Sequence, residues 1–212
     1  MNKAMKHQRN YSYNHHYNNS SQKVIVGSSQ EIAVQMAEKN NKLIEPGSHN
    51  LLIYNDLKKF REIYSQCTRA SLAENEIVVI ATQYDPIAEV KNSLRLAGVD
   101  VESYLNQGSL FILDAQQGYQ GVDSKGIWKF AMSLLSRAKK EGRRGVTWFG
   151  ELGSFFNFEK IEELMKYELW CPQKYEATMK TVCCYHLEDF ENLSEIQQQT
   201  LFDHHFKSIL VK

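Results

Sequence analysis

The stretch Ile77-Val78-Val79-Ile80-Ala81-Thr82-Gln83-Tyr84-Asp85-Pro86-Ile87 decides the fold class. Its first five residues are apolar without interruption, and four of them are β-branched. A run this short cannot make a helix, and the lack of alternation marks a strand covered on both faces. Pro86 then favours a helix start, because its fixed φ suits the first turn and its missing N–H is not needed there. Ile87, Val90 and Leu94 space an apolar helical stripe, and Gly98 supplies the stop. The same strand–loop–helix unit recurs in both directions. Upstream, Leu51 to Tyr54 precedes Leu57, Phe60, Tyr64 and Cys67 at helical spacing. Downstream, strands are expected at Leu110–Leu113, Val146–Phe149, Thr181–Tyr185 and Ser208–Val211. The helices between them are marked by Ile127 to Ala138, Phe158 to Leu169, and Leu193 to Leu201. Strands alternating with helices predict right-handed crossovers and an α/β fold: three layers, αβα, around a mostly parallel sheet.

The remaining composition bounds the function. The 212 residues carry 25 Lys plus Arg and 25 Asp plus Glu, a formal net charge of zero. Neutrality removes the footprint of a nucleic-acid-binding protein from the chain as a whole. It conceals an asymmetry, since residues 1–22 contain Lys3, Lys6 and Arg9 and no acid. That segment is rich in Asn, Tyr, His and Ser and lacks aliphatic periodicity, so it reads as a disordered polar tail able to touch RNA weakly. Residues 23–46 read as a linker with a short helix after Ser28-Ser29. Glu45-Pro46-Gly47-Ser48 breaks the chain, and a folded domain is expected over residues 47–212. No apolar run approaches the ~20 residues of a membrane-spanning helix. The four cysteines, Cys67, Cys171, Cys183 and Cys184, form no CxxC pair, which points to a reducing cytoplasm.

Open parallel sheets bind ligands beyond the carboxyl ends of their strands. The residues expected there include Tyr54, Asn55 and Asp56, then Gln83, then Glu151, then Tyr185. The loop after the first of these strands has no glycine and no GxxxxGK[ST], so it is not a phosphate loop. GxGxxG and GxSxG are also absent, and no catalytic residue or cofactor is assigned. Cys183 and Cys184 point to opposite faces of a strand, so one of them at most could share a site with His204 or His205. The gaps match no zinc finger, and no metal is assigned. Glu151, at a strand end beside Gly150 and Gly153, either ligates a metal, accepts a proton or binds a polar ligand, or caps the next segment. Glu168 extends the apolar stripe of its helix and needs a buried partner, for which an arginine is the expected choice.

The order of motifs resembles the MEDS domain, the methanogen/methylotroph DcmR sensory domain. The landmarks are Gly47-Ser48-His49 with Tyr54-Asn55-Asp56; Leu72-Ala73-Glu74-Asn75-Glu76 leading into Ile77-Val78-Val79-Ile80; Leu96 to Val101; Gln107-Gly108-Ser109-Leu110; Gly150-Glu151; Tyr167-Glu168; Cys184-Tyr185; and His205. His186 and Phe206 depart from the usual aspartate and proline. The resemblance implies a RecA- and KaiC-like sheet that has lost its phosphate loop, and a non-enzymatic sensory role. It implies a small organic ligand, and its landmark positions map to His49, Glu151, Glu168, Cys184-Tyr185 and His205. Together with the strand-end residues, the expected ligand site is His49, Tyr54, Asn55, Asp56, Gln83, Glu151, Tyr185 and His205, with Glu168 and Cys184 structural. The resemblance also implies an output partner such as a kinase or transcription regulator. The competing readings are a nucleotide-binding or hydrolytic enzyme without the standard loop, and a protein-interaction module.

Overall fold

The computed structural model describes residues 23–37, 43–120, 124–175 and 178–212. Its strands are β1 (Lys23–Gly27), β2 (His49–Tyr54), β3 (Ile77–Thr82), β4 (Leu110–Asp114), β5 (Val146–Glu151), β6 (Met179–His186) and β7 (Lys207–Val211). They form one seven-stranded sheet in the order β1-β7-β2-β6-β5-β3-β4, and every pairing is parallel. The helices are α1 (Ser29–Ala37), α2 (Leu57–Ala73), α3 (Ile87–Leu96), α4 (Val101–Asn106), α5 (Ala115–Gln120), α6 (Ser124–Lys140), α7 (Gly153–Asn157), α8 (Ile161–Trp170), α9 (Leu187–Glu191) and α10 (Glu195–His204). The chain is thus an αβα sandwich whose sheet is entirely parallel.

Strand periodicity divides the sheet into two apolar faces. Leu51, Ile53, Val79, Trp148, Cys183 and Tyr185 join the core under α6, α8 and α10. Their neighbours Leu52, Tyr54, Val78, Phe149, Val182 and Cys184 join the core under α1, α2 and α3. Every residue of β2, β3 and β5 is buried, which accounts for the continuous apolar runs Leu51–Tyr54, Ile77–Ala81 and Trp148–Phe149. The helix boundaries follow local chemistry. The Asp56 carboxylate accepts the backbone N–H groups of Lys58 and Lys59 at 2.7 and 3.1 Å, capping α2. Gly98, with φ of +85°, turns the chain away after α3, where a side chain would be strained.

Residues 23–37, read from the sequence as part of a linker, belong to this same core. β1 pairs along its whole length with β7. In α1, Ile32, Ala33 and Met36 are buried against the α2 face. Ser28 starts that helix through a reciprocal cap: its N–H donates to Glu31 at 2.9 Å and its Oγ accepts from the Glu31 N–H at 3.3 Å. Lys-Val-Ile-Val-Gly is a weak strand signal because an edge strand needs only one neighbour and has little apolar length to show. The expected tail over residues 1–22 lies outside the described residues.

Candidate functional site

Two polar constellations are built into the sheet. The first stands at the carboxyl ends of β2, β3 and β5, in the crevice where the chain leaves β3 toward one face and β5 toward the other. Its centre is Glu151, the last residue of β5 and 1% exposed. Strand periodicity puts the Glu151 side chain on the face of Phe149, beside Tyr54 and Thr82. Oε2 accepts the backbone N–H groups of Gln83 and Tyr84 at 2.7 and 3.2 Å and faces the Thr82 hydroxyl at 3.0 Å. Oε1 accepts the Tyr54 hydroxyl. Burial pushes the Glu151 carboxyl up from its ordinary pKa, against the pull of the surrounding donors, and pushes the Tyr54 phenol up as well. Tyr54 is held by stacking on Phe60 of α2, with ring centroids 4.3 Å apart. The Tyr84 hydroxyl donates to Asp189 of α9 at 2.5 Å, tying the β3 loop to the segment after β6. Beside this cluster, buried Asp85 takes a bidentate hydrogen-bonded pair from Arg61 and a hydrogen bond from the Tyr64 hydroxyl at 3.2 Å.

The second constellation lies on the opposite face, beside the start of β2 and the middle and later part of β6. His49 opens β2, Cys183 and Tyr185 sit two residues apart on β6, Glu168 lies on the sheet-facing stripe of α8, and His205 follows α10. His49, Glu168 and His205 are each 0% exposed. His49 Nε2 lies 3.2 Å from Cys183 Sγ and 3.3 Å from Glu168 Oε2. His205 Nε2 approaches the same carboxylate oxygen to 3.4 Å. The Tyr185 hydroxyl donates to Glu168 Oε1 at 2.5 Å. Burial, helped by His205, lowers His49 to about 4, so its ring is neutral at pH 7. Burial works to raise Glu168, but His205 and His49 outweigh it and hold the carboxyl below its ordinary range. Burial drives the Cys183 thiol well up. The donor atoms of His49, Glu168, Cys183 and His205 all lie within 4.8 Å of one another, close enough to share one metal ion.

The methanogen/methylotroph, DcmR sensory domain family model, MEDS, matches residues 48–204, well over half of the chain. The chain belongs to the MEDS family. No curated protein matches it.

The expected site residues of this MEDS domain divide between the two constellations. Tyr54, Gln83 and Glu151 meet at the strand ends, whereas His49, Tyr185 and His205 meet around Glu168 on the other face. Asp56 caps α2 and stands apart from both. The expected arginine partner of Glu168 is replaced by two histidines and a tyrosine. Its position one helical turn from Leu164 aims it at the strands, and the polar groups there come from β2 and β6. Cys184 lies on the face of α2, and its neighbour Cys183 supplies the sulfur. The period-2 pattern carries this signal: Cys183 shares the parity of Tyr185 on β6, as His49 does that of Leu51 and Ile53 on β2. Thr82 and Tyr84, which follow directly from the β3 run, and Asp189 complete the first cluster. Asp189 has no signal in the sequence, because its meeting with Tyr84 joins segments 105 positions apart.

Several cavities open among the described residues. One of about 210 Å³ opens at the carboxyl ends of β7 and β2 and is lined by Val26, Ile53, Tyr54, Asn55, Leu187 and Phe202, among others. A second of about 170 Å³ lies beyond β3 and β4 against Leu113, Phe130 and Trp148. A third holds about 20 Å³, room for one water, between Trp148, Tyr175, His49 and Cys183. No helix among the described residues is long and apolar enough to cross a membrane.

Proposed function

We propose that this MEDS domain is a non-catalytic sensory module that binds a small, mainly apolar organic molecule at the carboxyl ends of its strands and signals through a partner protein such as a kinase or transcription regulator. The observation that carries the reading is the cavity between β7, β2 and α9. Its walls are mainly aliphatic and aromatic, with Asn55, Tyr54 and Lys212 as polar groups at the strand ends. Its 210 Å³ falls below the about 300–1,000 Å³ of sites for drug-sized ligands, which fits a molecule of few heavy atoms.

Tyr54 connects this cavity to the Glu151 cluster, because the residue borders the one and its hydroxyl donates to the other. Leu187 lines the cavity too, and Asp189, two residues on, accepts the Tyr84 hydroxyl. A ligand that displaces Tyr54 or α9 therefore disturbs hydrogen bonds reaching the β3 loop. Signalling then requires that the ligand favour one arrangement of these groups over the other.

The nucleotide reading is disfavoured by the same geometry. Phosphates on such sheets need free N–H groups at the strand ends and helix starts. Here Asp56 takes the first N–H groups of α2, and Glu151 takes those of Gln83 and Tyr84. Each of these places where an anion would dock is filled by a carboxylate of the chain.

Thermal unfolding of the full chain against a panel of small organics and nucleotides tests the reading. A true ligand at 100 times its Kd stabilises by about 2.7 kcal/mol. A small organic is expected to raise Tm in the wild type and not in Leu210→Trp, which fills the cavity. A Tm rise with ATP alone, or a response that survives Leu210→Trp, overturns it.

A further inference from the structure

The structure assigns to His49, Glu168, Cys183 and His205 a buried site for one divalent first-row transition metal ion, with zinc the best match. Four elements bring these residues together: the start of β2, the sheet-facing stripe of α8, the middle of β6 and the turn between α10 and β7. A tetrahedral zinc ion with bonds of about 2.0–2.3 Å spaces its ligand atoms about 3.3–3.8 Å apart. Three of the separations here, 3.2, 3.3 and 3.4 Å, lie at or just under the short end of that spacing, and all of them fall within 4.8 Å.

Three further observations favour a cation. The first is Glu168 Oε2, buried where the ring nitrogens of His49 and His205 converge on it at 3.3 and 3.4 Å, longer than an ordinary N–H···O hydrogen bond. A carboxylate oxygen in such a place needs a positive partner. The second is the orientation of His205. Its Nδ1 lies 2.7 Å from the Leu201 carbonyl, which can only accept, so Nδ1 carries a proton and Nε2 is the ring atom turned toward Glu168. Metal-bound histidines are commonly held this way, by a backbone carbonyl on the other nitrogen. The Tyr185 hydroxyl does the same for the carboxylate, fixing Oε1 and leaving Oε2 toward the histidines. The third is charge. A thiolate, a carboxylate and two neutral imidazoles around a divalent ion sum to zero, which lets the whole group stay dry.

The ligand set is also selective. Two imidazoles and a thiolate suit zinc and its transition-metal neighbours, whereas magnesium and calcium want oxygen donors throughout. Four protein ligands close the coordination sphere, so the ion braces β2, β6, α8 and the approach to β7 and leaves no position for catalysis.

The test is metal analysis and cobalt substitution of the purified full chain. One zinc per chain is expected. Cobalt(II) added to the stripped protein is expected to give a thiolate-to-cobalt charge-transfer band that is lost in Cys183→Ser and kept in Cys67→Ser, whose sulfur lies on the other face. Tyr185→Phe, which keeps all four ligands, is expected to weaken zinc binding about 10–100-fold. It is the second readout should Cys183→Ser fail to fold. Sub-stoichiometric zinc with no charge-transfer band overturns the site and leaves a buried proton network only. Zinc retained at full affinity in both Cys183→Ser and Tyr185→Phe also overturns it, placing the metal elsewhere, for instance on His7, His15 and His16. The outcome is independent of the organic ligand, because the cavity variant Leu210→Trp leaves all four residues in place.

Discussion

At the scale of single residues, Glu151 shows how much a buried carboxylate depends on its donors. The groups around it present N–H and O–H bonds, so an amide in its place turns an NH₂ toward one of them. Glu151→Gln is therefore expected to destabilise the fold by about 1–3 kcal/mol, read from urea unfolding. Tyr54→Phe removes one donor and is expected to cost about 1.5–3 kcal/mol if Glu151 is ionised in the fold. A neutral effect of both substitutions contradicts this hydrogen-bond pattern. Asp85 and Arg61 make a different point, because the two partners are unequally buried: the Asp85 side chain is 0% exposed and that of Arg61 31%. Arg61→Met strands a buried carboxylate and is expected to cost about 3–5 kcal/mol, whereas Asp85→Asn releases a guanidinium that can turn to water and costs less. Equal losses in chemical denaturation contradict this asymmetry.

At the scale of elements, the junction before β5 is a close meeting of two backbones. A Cβ built on Gly145 drives into the Thr178 carbonyl oxygen, which itself accepts the Val146 N–H at 3.0 Å. Gly145→Ala must push β5 away from the start of β6, and it is expected to lower stability by about 1–3 kcal/mol or more. An unchanged Tm is the contrary result. The need for glycine here comes from two backbones meeting, and nothing in Arg143-Arg144-Gly145 announces it. Helix starts are the opposite case. Ser28 with Glu31, Asp56, and Ser194 with Gln197 cap α1, α2 and α10 through residues that the sequence displays at the expected spacing.

At the scale of the whole molecule, β1 and α1 complete the sheet and one core. A chain beginning at residue 43 loses the burial of Ile32 and Met36, each carrying about 1.5–3 kcal/mol, and bares the edge of β7. It is expected to unfold at lower temperature and to aggregate more readily than a chain beginning at residue 23, as calorimetry and light scattering can show. Equal behaviour of the two contradicts a shared core. The sequence by itself determined the layered α/β class, because strands buried on both faces must be continuously apolar and their helices must be amphipathic. It determined the strand ends that gather Tyr54, Gln83 and Glu151, and the family landmarks His49, Glu168 and His205. Only the tertiary structure decided the strand order, the entry of β1 at the edge, and the division of those landmarks between two faces. The physical reason is range. Periodicity and capping act within a few residues, whereas the meeting of His49 with Cys183, 134 positions apart, depends on the register of β2 against β6.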